Sequence, residues 1–379
     1  MDFLLTEEQK MFQNTVRDFA KRELEPIAER IDANEEYPFD SIEKLAQLGI
    51  TGLTIPEEYG GSGGTYIDWC IAMEEIAHAC ASTATILDTS WGLATHCINA
   101  WGNEEQKKRY VPPLVKAEKI GAFGLTEANA GSDPSQLDTI AVKDGNSYVL
   151  NGSKIFISNG AQADILVIFA AKDKASGYKG QSAFIVEKGT PGFSIGSEYH
   201  KLGIRAARNA ELLFEDCRIP AENLLGSEGQ GFRIALSTLD GARIGVSAIA
   251  VGIARATLET SIEHSKTRQQ YGQPIANFQA LQWMMTDIAI GIDAARLLAY
   301  RAADLKDKGL PFTVEAAMAK TFAAEMAMAA TTKGIQIHGG YGYMTDSPMQ
   351  RYFRDAKITE IYEGTSEIMR FIIARSLLR

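Results

Sequence analysis

The stretch Asp-Ala-Lys-Ile-Thr-Glu-Ile-Tyr-Glu-Gly-Thr-Ser-Glu, residues 355–367, sets a single carboxylate, Glu363, between Tyr362 and Gly364. Glycine at such a point breaks a regular helix. A carboxylate on the break can be pressed into an apolar pocket, where burial raises its pKa and suits it to act as a base on a weak carbon acid. Taken alone, the plainer reading is a solvated loop carboxylate, and the rest of the chain has to decide.

Four further clusters carry residues able to hold a ligand. Phe123–Asp133 (Phe-Gly-Leu-Thr-Glu-Ala-Asn-Ala-Gly-Ser-Asp) combines small residues, which free backbone N–H groups for an anion, with hydroxyls that can bond a ring edge or phosphate. A plain turn is its alternative. Lys154–Gly160 ends a strand with Phe156 and Ser158 on one face by the period of two, a flat aromatic and a hydroxyl fit to cover a planar cofactor. A core strand ending in a turn reads the same way. Thr267–Pro274, followed by Phe278 and Gln279, interrupts two helices with Arg268, a natural pyrophosphate partner or else a solvated helix end. Gln336–Tyr343 adds a glycine cluster in which His338 reads as structural. No His, Cys, Asp or Glu grouping has metal-ligand spacing.

These clusters need a large scaffold. With 379 residues, 45% apolar and 23% charged, the chain reads as a globular protein of two or three domains. A net charge of −10 without a Lys/Arg run argues against nucleic acid as the main partner. The four cysteines form no C-x-x-C pair and read as buried thiols of a reducing compartment. The N-terminus has no basic, apolar leader, and no uncharged apolar run approaches about 20 residues, so the protein is expected to be cytoplasmic, without membrane insertion.

The pattern of elements predicts a multidomain α+β fold: a helical N-terminal domain (1–119), a middle antiparallel β domain (120–226) and a C-terminal four-helix bundle (227–379). Thr6 and Gln9 form a capping box ahead of the first helix. Val142–Ser158 reads as a hairpin about Asn151-Gly152, and Ile165–Ala171 as a continuous apolar strand. The expected bundle helices are 231–238, 243–266, 278–308 and 313–336. The absence of βαβ alternation weighs against a dinucleotide-binding sheet.

In this order on an α–β–α chain, Leu125-Thr126-Glu127 with Ala130-Gly131-Ser132-Asp133, Arg268 with Tyr271-Gly272, Gln336 with Gly339-Gly340, and Arg354-Asp355-Ala356 with Ile361–Thr365 resemble the acyl-CoA dehydrogenase family over essentially the whole chain. The resemblance implies a homotetramer with one FAD per subunit, acting on an acyl-CoA and passing electrons to an electron-transfer flavoprotein. Flavin contacts are implied for Phe123, Leu125, Thr126, Gly131, Ser132, Phe156, Ile157, Ser158, Thr365 and Glu367. The neighbouring subunit would bring Arg268, Gln270, Tyr271, Phe278, Gln279, Gln336, Gly339 and Gly340 to the diphosphate and adenosine. Ser132, Asp240, Arg243, Asp88, Trp91, Tyr362 and Gly364 fall on the acyl-CoA side. Glu363 is then the base that takes the α-proton of the thioester, the backbone N–H of Glu363 helps polarise the thioester carbonyl, and the β-hydrogen leaves as hydride to flavin N5.

Departures narrow the substrate. Some branches of the family carry the base just before the arginine of Asp240-Gly241-Ala242-Arg243; here Ala242 stands there, which supports Glu363. Glutaryl-type members carry an arginine on the helix lining the acyl pocket, and no Lys or Arg occurs between Lys44 and Lys107. The same helix carries Asp88, with Trp91 one turn on. Asp88 either faces the helix exterior or faces the acyl group, the second giving a short, wide pocket for a cyclic or functionalised chain such as cyclohexanecarboxyl-CoA. Cyclic-diene-forming relatives use an Asp on this helix as base but lack the Glu kept here. The expected activity is α,β-dehydrogenation of a short-chain or cyclic acyl-CoA; an oxygen-reactive acyl-CoA oxidase-like flavoprotein is the alternative. Arg205 and Arg208 replace a Ser/Thr-rich loop and read as solvated charges.

Overall fold

The computed structural model describes residues 4–378. Met1–Phe3, part of the stretch read above for a leader, lie outside them. The N-terminal helices are α1 (Glu7–Phe19), α2 (Glu25–Asn34), α3 (Phe39–Gln47), α4 (Tyr66–Ala79), α5 (Ala81–Leu87), α6 (His96–Trp101) and α7 (Glu104–Val115). The Thr6/Gln9 capping box forms, with the Gln9 N–H donating to Thr6 Oγ1 at 3.1 Å. Between α5 and α6 the helix widens into a π-helical segment, Asp88–Thr95, a local geometry that often marks functional positions.

The middle of the chain forms β1 (Gly121–Gly124), β2 (Ile140–Asp144), β3 (Ser147–Ser158), β4 (Ile165–Ala171), β5 (Gln181–Glu187), β6 (Phe193–Tyr199), β7 (Asn209–Pro220) and β8 (Leu224–Leu225). The sheet runs β6-β7-β3-β2-β4-β5-β8, with β1 pairing β4 off this path. Its long ladders are antiparallel, but β1–β4 and the single β2–β4 pairing are parallel, so the sheet is mixed. Every residue of β4 is buried, as its unbroken apolar sequence requires: Val167 and Phe169 enter one cluster and Leu166 and Ile168 another.

The hairpin turn is displaced from its expected place. Residues 145–146 make it, with Gly145 at φ 59°, and Asn151-Gly152 lies inside β3 at a bulge opposite β7. Gly152 has φ 142°, and a Cβ there would sit 2.6 Å from Thr139 Cα. Gly152→Ala is expected to lower stability by about 2 kcal/mol in denaturant unfolding.

The C-terminal helices are α8 (Gly231–Thr267), α9 (Gln279–Asp307), α10 (Thr313–His338), α11 (Pro348–Thr359) and α12 (Ser366–Leu377). The two pieces expected at 231–238 and 243–266 are one 37-residue helix, because Asp240-Gly241 is held in it by packing that overrides glycine's weak propensity. α11 and α12 pack on α10 and complete the helical domain. One continuous core joins α4 and α5 to α8, α9 and α10, while a second joins α6 and α7 to the sheet. Among the described residues α8 is the one helix long and apolar enough to cross a membrane, and 78% of its most apolar window is buried inside the fold.

Candidate active site

Glu363 sits in the connection between α11 and α12, which Thr365 caps by accepting from the Ile368 N–H at 3.3 Å. The connection is strained. Glu363 has φ 54°, and Gly364 follows at φ 101°, a conformation only glycine takes freely. Two buried cations hold it in place: Arg243 Nε donates to the Glu363 carbonyl at 3.0 Å, and Lys320 Nζ donates to the Gly364 carbonyl at 2.7 Å. Arg243 is in turn fixed by Asp240 at 2.6 Å, whose other oxygen accepts from Thr313 Oγ1 at 2.6 Å. α8 and α10 therefore grip the strained turn from two sides.

The Glu363 carboxyl is left facing an unfilled need. Among the described residues its Oε2 is buried without a hydrogen-bond partner, and so are the hydroxyls of Tyr362 and Ser366. Orphaned buried polar atoms are rare in folded proteins, and three within five residues mark a place where another molecule belongs. Burial pushes the Glu363 pKa up to about 7, against the opposing pull of Arg243, Lys320 and a hydrogen bond from Asp88.

Asp88 lies against Glu363, not on the outside of its helix. It is 2% exposed, and Trp69 Nε1 donates to its Oδ1 at 3.4 Å. Two glycines make room for it: a Cβ at Gly92 would come within 2.5 Å of Asp88 Oδ1, and one at Gly245 on α8 would overlap the carboxyl outright. Burial, and then the neighbouring Glu363, push the Asp88 carboxyl well above the usual carboxylate range. Trp91, expected on the same side, is turned toward α7, where its Nε1 donates to the Leu114 carbonyl at 2.7 Å. Ala242 is buried among apolar residues.

The residues expected around the flavin fall into two places. In the first, Thr126 and the end of β3 adjoin, the Ile155 N–H donating to the Thr126 carbonyl at 2.9 Å. A bulge with φ 58° at Phe156 turns that ring outward, 58% exposed and 4.9 Å from the Tyr199 ring, while Ile157 is buried. Asn209 Nδ2 donates to Ser158 Oγ at 3.2 Å. Phe123 and Leu125 are buried in the core, Phe123 pairing with Val167 of β4 and the Leu125 carbonyl accepting from Lys154 Nζ at 3.3 Å; Ser132 is exposed, and the missing Cβ of Gly131 has nothing within 4 Å. Glu127 is structural: it accepts from the Thr139 N–H at 3.1 Å and pairs at 2.5 Å with the fully buried Lys154.

The second place is a cavity of about 710 Å³ lined by Arg268, Gln270, Gln336, Gly339 and Gly340. The missing Cβ atoms of Gly339 and Gly340 meet nothing within 4 Å, so their backbone is open to close approach. His338 also lines it and is held by stacking on His264 at 4.2 Å. Phe278 sets its ring edge-on to the almost fully exposed Tyr271, and Gln279 begins α9. An exposed aromatic beside backbone and hydroxyls in the first place, and an arginine over open glycines in the second, suit the ring and the diphosphate of a flavin dinucleotide. His264 lies about six helical turns beyond Arg243 on α8, so this second place is remote from the same chain's Glu363.

Sequence reading missed Lys320, Trp69, Gly92 and Gly245. Lys320 is the lone lysine between Lys308 and Lys333 in an Ala-rich helix, and each of the two glycines interrupts an apolar helical run; both patterns were available as signals. Trp69 carries no such mark. Arg205 and Arg208 prove to be paired, with Glu35 at 3.0 Å and Glu198 at 2.6 Å.

Comparison with known proteins agrees with this architecture. Acyl-CoA dehydrogenase domain models match along the chain: the N-terminal domain at residues 6–118, the middle domain at 122–217 and the C-terminal domain at 229–378. The chain is 51% identical over 379 residues to the short-chain specific acyl-CoA dehydrogenase of Clostridium acetobutylicum, covering 100% of both. It superposes with a TM-score of 0.98 on butyryl-CoA dehydrogenase of Megasphaera elsdenii, at 47% identity and 100% coverage of both chains. The same score, with 49% identity and full coverage of both, relates it to a chain in a structure described as electron transferring flavoprotein of Acidaminococcus fermentans. With the three family domains matched in order along its length, the chain belongs to the acyl-CoA dehydrogenase family of FAD-dependent oxidoreductases.

Proposed function

We propose that the protein oxidises a short-chain acyl-CoA to the 2-enoyl-CoA, with Glu363 taking the α-proton. One observation carries this reading: a carboxyl with a buried, unpartnered oxygen and a pKa of about 7, gripped through its backbone by Arg243 and Lys320. Near neutral pH such a group is a far better match to a weak carbon acid than a solvated carboxylate. Among the described residues the Glu363 N–H of the left-handed turn has no acceptor, which leaves it free to donate to the thioester carbonyl as charge builds there. FAD, when bound, supplies the acceptor at N5 for the β-hydrogen as hydride. Phe156, Thr126, Ser158, Thr365 and Glu367 serve its ring side, and Ser132 with Asp240 and Arg243 the acyl-CoA side.

The remote second place supports assembly as a homotetramer in which a neighbouring subunit brings Arg268, Gln270 and Gln336–Gly340 to the diphosphate. α9 displays a seam of exposed Trp283, Ile290 and Leu297 at heptad spacing, suited to a helical interface. Electron-transfer flavoprotein is the proposed acceptor, in line with the Acidaminococcus neighbour, and the cytoplasm the proposed location.

Asp88 favours a second reading for the acyl group. A carboxyl beside Glu363 suits a compact ring or functionalised chain, such as cyclohexanecarboxyl, better than a plain alkyl chain. Anaerobic titration with linear, branched and cyclic acyl-CoAs, followed by flavin bleaching, tests both. Butyryl-CoA is expected to bleach the flavin; faster bleaching by cyclohexanecarboxyl-CoA selects the ring substrate, and no bleaching by any acyl-CoA defeats the proposal. Rapid reoxidation by air instead of by electron-transfer flavoprotein would identify an oxidase.

A further inference from the structure

Nothing in the dehydrogenation requires Asp88, yet the fold goes to some length to keep it. Gly92 and Gly245, on two different helices, leave the space its carboxyl fills, and the π-helical segment begins at it. Its surroundings do not suit an anion. The Trp69 N–H at 3.4 Å is its one hydrogen-bond donor among the described residues, and no cation pairs with it. The two cations of the site, Arg243 from α8 and Lys320 from α10, are both committed to the turn that carries Glu363. The other titratable groups that face the pair are Tyr66 and Cys70 from α4 and Tyr362, each kept neutral by burial. Glu360 and Glu367 add a favourable charge interaction with Lys320.

Two carboxyls side by side in a buried site cannot both ionise cheaply, and the one nearer the cations keeps the charge. Here that is Glu363. We propose that Asp88 is a positioning residue that bears the proton of a carboxyl pair: its O–H donates to the Glu363 carboxylate and holds the base in one orientation toward the α-hydrogen. The inference rests on Glu363 being the base. Before reaction the pair holds one proton and one negative charge. When the substrate C–H breaks, its proton forms an O–H on Glu363, its electron pair stays with the substrate, and the pair becomes neutral with Asp88 unchanged. The hydrogen bond also keeps Glu363 from titrating still higher, so that about half of the base is charged at neutral pH and most of it a unit above.

The test uses the holoenzyme, with anaerobic bleaching followed across pH in wild type, Asp88→Asn and Asp88→Ala. Asp88→Ala removes the donor, and the acid limb of kcat/KM is expected to move up by about one pH unit. Asp88→Asn keeps an N–H donor and is expected to leave the limb close to its wild-type position. A limb that moves down in Asp88→Ala means that Asp88 is ionised in the wild type, and one that stays put while rates fall means that it only packs; either result overturns the proposal. Difference infrared spectra provide a readout independent of turnover. At about pH 9, two units above the Glu363 pKa, where that carboxyl is ionised, a protonated-carboxyl band is expected in wild type and in Glu363→Gln and is expected to be lost in Asp88→Asn; a band unchanged in Asp88→Asn refutes the assignment. Failure of the base reading is separate: it shows as normal bleaching by Glu363→Gln, whatever the Asp88 variants do.

Discussion

Glu363→Gln is expected to bind acyl-CoA and FAD with little change and to bleach the flavin roughly 10²–10⁴-fold more slowly, the range that a general base contributes. The amide preserves size and the backbone contacts that Arg243 and Lys320 make, since both reach carbonyls of the turn rather than the Glu363 side chain. Only the proton acceptor is lost. With Glu363 as the proposed base, the reactive form is the carboxylate, whose pKa lies at about 7, so kcat/KM is expected to fall as pH drops below that value and to level above it. Stopped-flow bleaching at several pH values measures both. A Gln variant that bleaches at the wild-type rate would falsify the base assignment.

Arg243→Ala should damage both stability and rate. Arg243 is 4% exposed and ties Asp240 to the Glu363 carbonyl. Its removal strands a largely buried Asp240 carboxylate and an unpaired carbonyl on a strained turn. Breaking a buried pair from one side costs about 3–5 kcal/mol, and the Thr313 hydroxyl that still serves Asp240 places this case at the lower end. Loss of Arg243 also removes the largest influence holding the Glu363 pKa down, so the acid limb should move to higher pH. Denaturant unfolding of the variant, together with its pH–rate profile, checks the two effects separately. A variant as stable as the wild type would show that Arg243 is not the clamp described here.

The order of helical and strand segments was legible because it rests on periodicity. The capping box at Thr6, the continuous apolar β4 and the long Ala-rich helices each follow from local residue pattern. Two readings failed where local signals competed. Asn151-Gly152 has the composition of a hairpin turn, but β3 runs straight through it, because the ladder with β7 continues on both sides and the glycine is needed for a bulge against Thr139. Asp240-Gly241 has the look of a helix break, yet α8 passes through it on the strength of packing on both flanks. In each case long-range pairing outweighed a propensity of about 1 kcal/mol.

From the sequence alone came the identity of the candidate base and its rivals: a carboxylate before a glycine at 363, an alanine at 242, and clusters of hydroxyls, glycines and an arginine fit for a flavin dinucleotide. These are statements about residue type and order, which the chain carries in itself. Tertiary structure decided what surrounds the base. That Arg243 and Lys320 hold the carbonyls of its turn, that Trp91 turns toward α7, and that Asp88 turns in against Glu363 depend on where α7, α8 and α10 pass, and no local pattern encodes the approach of segments distant in sequence. A helix face is set by contacts on all its sides. Asp88 faced inward because Gly92 and Gly245 left a space that a carboxyl fills and a neighbouring carboxyl that it can bond.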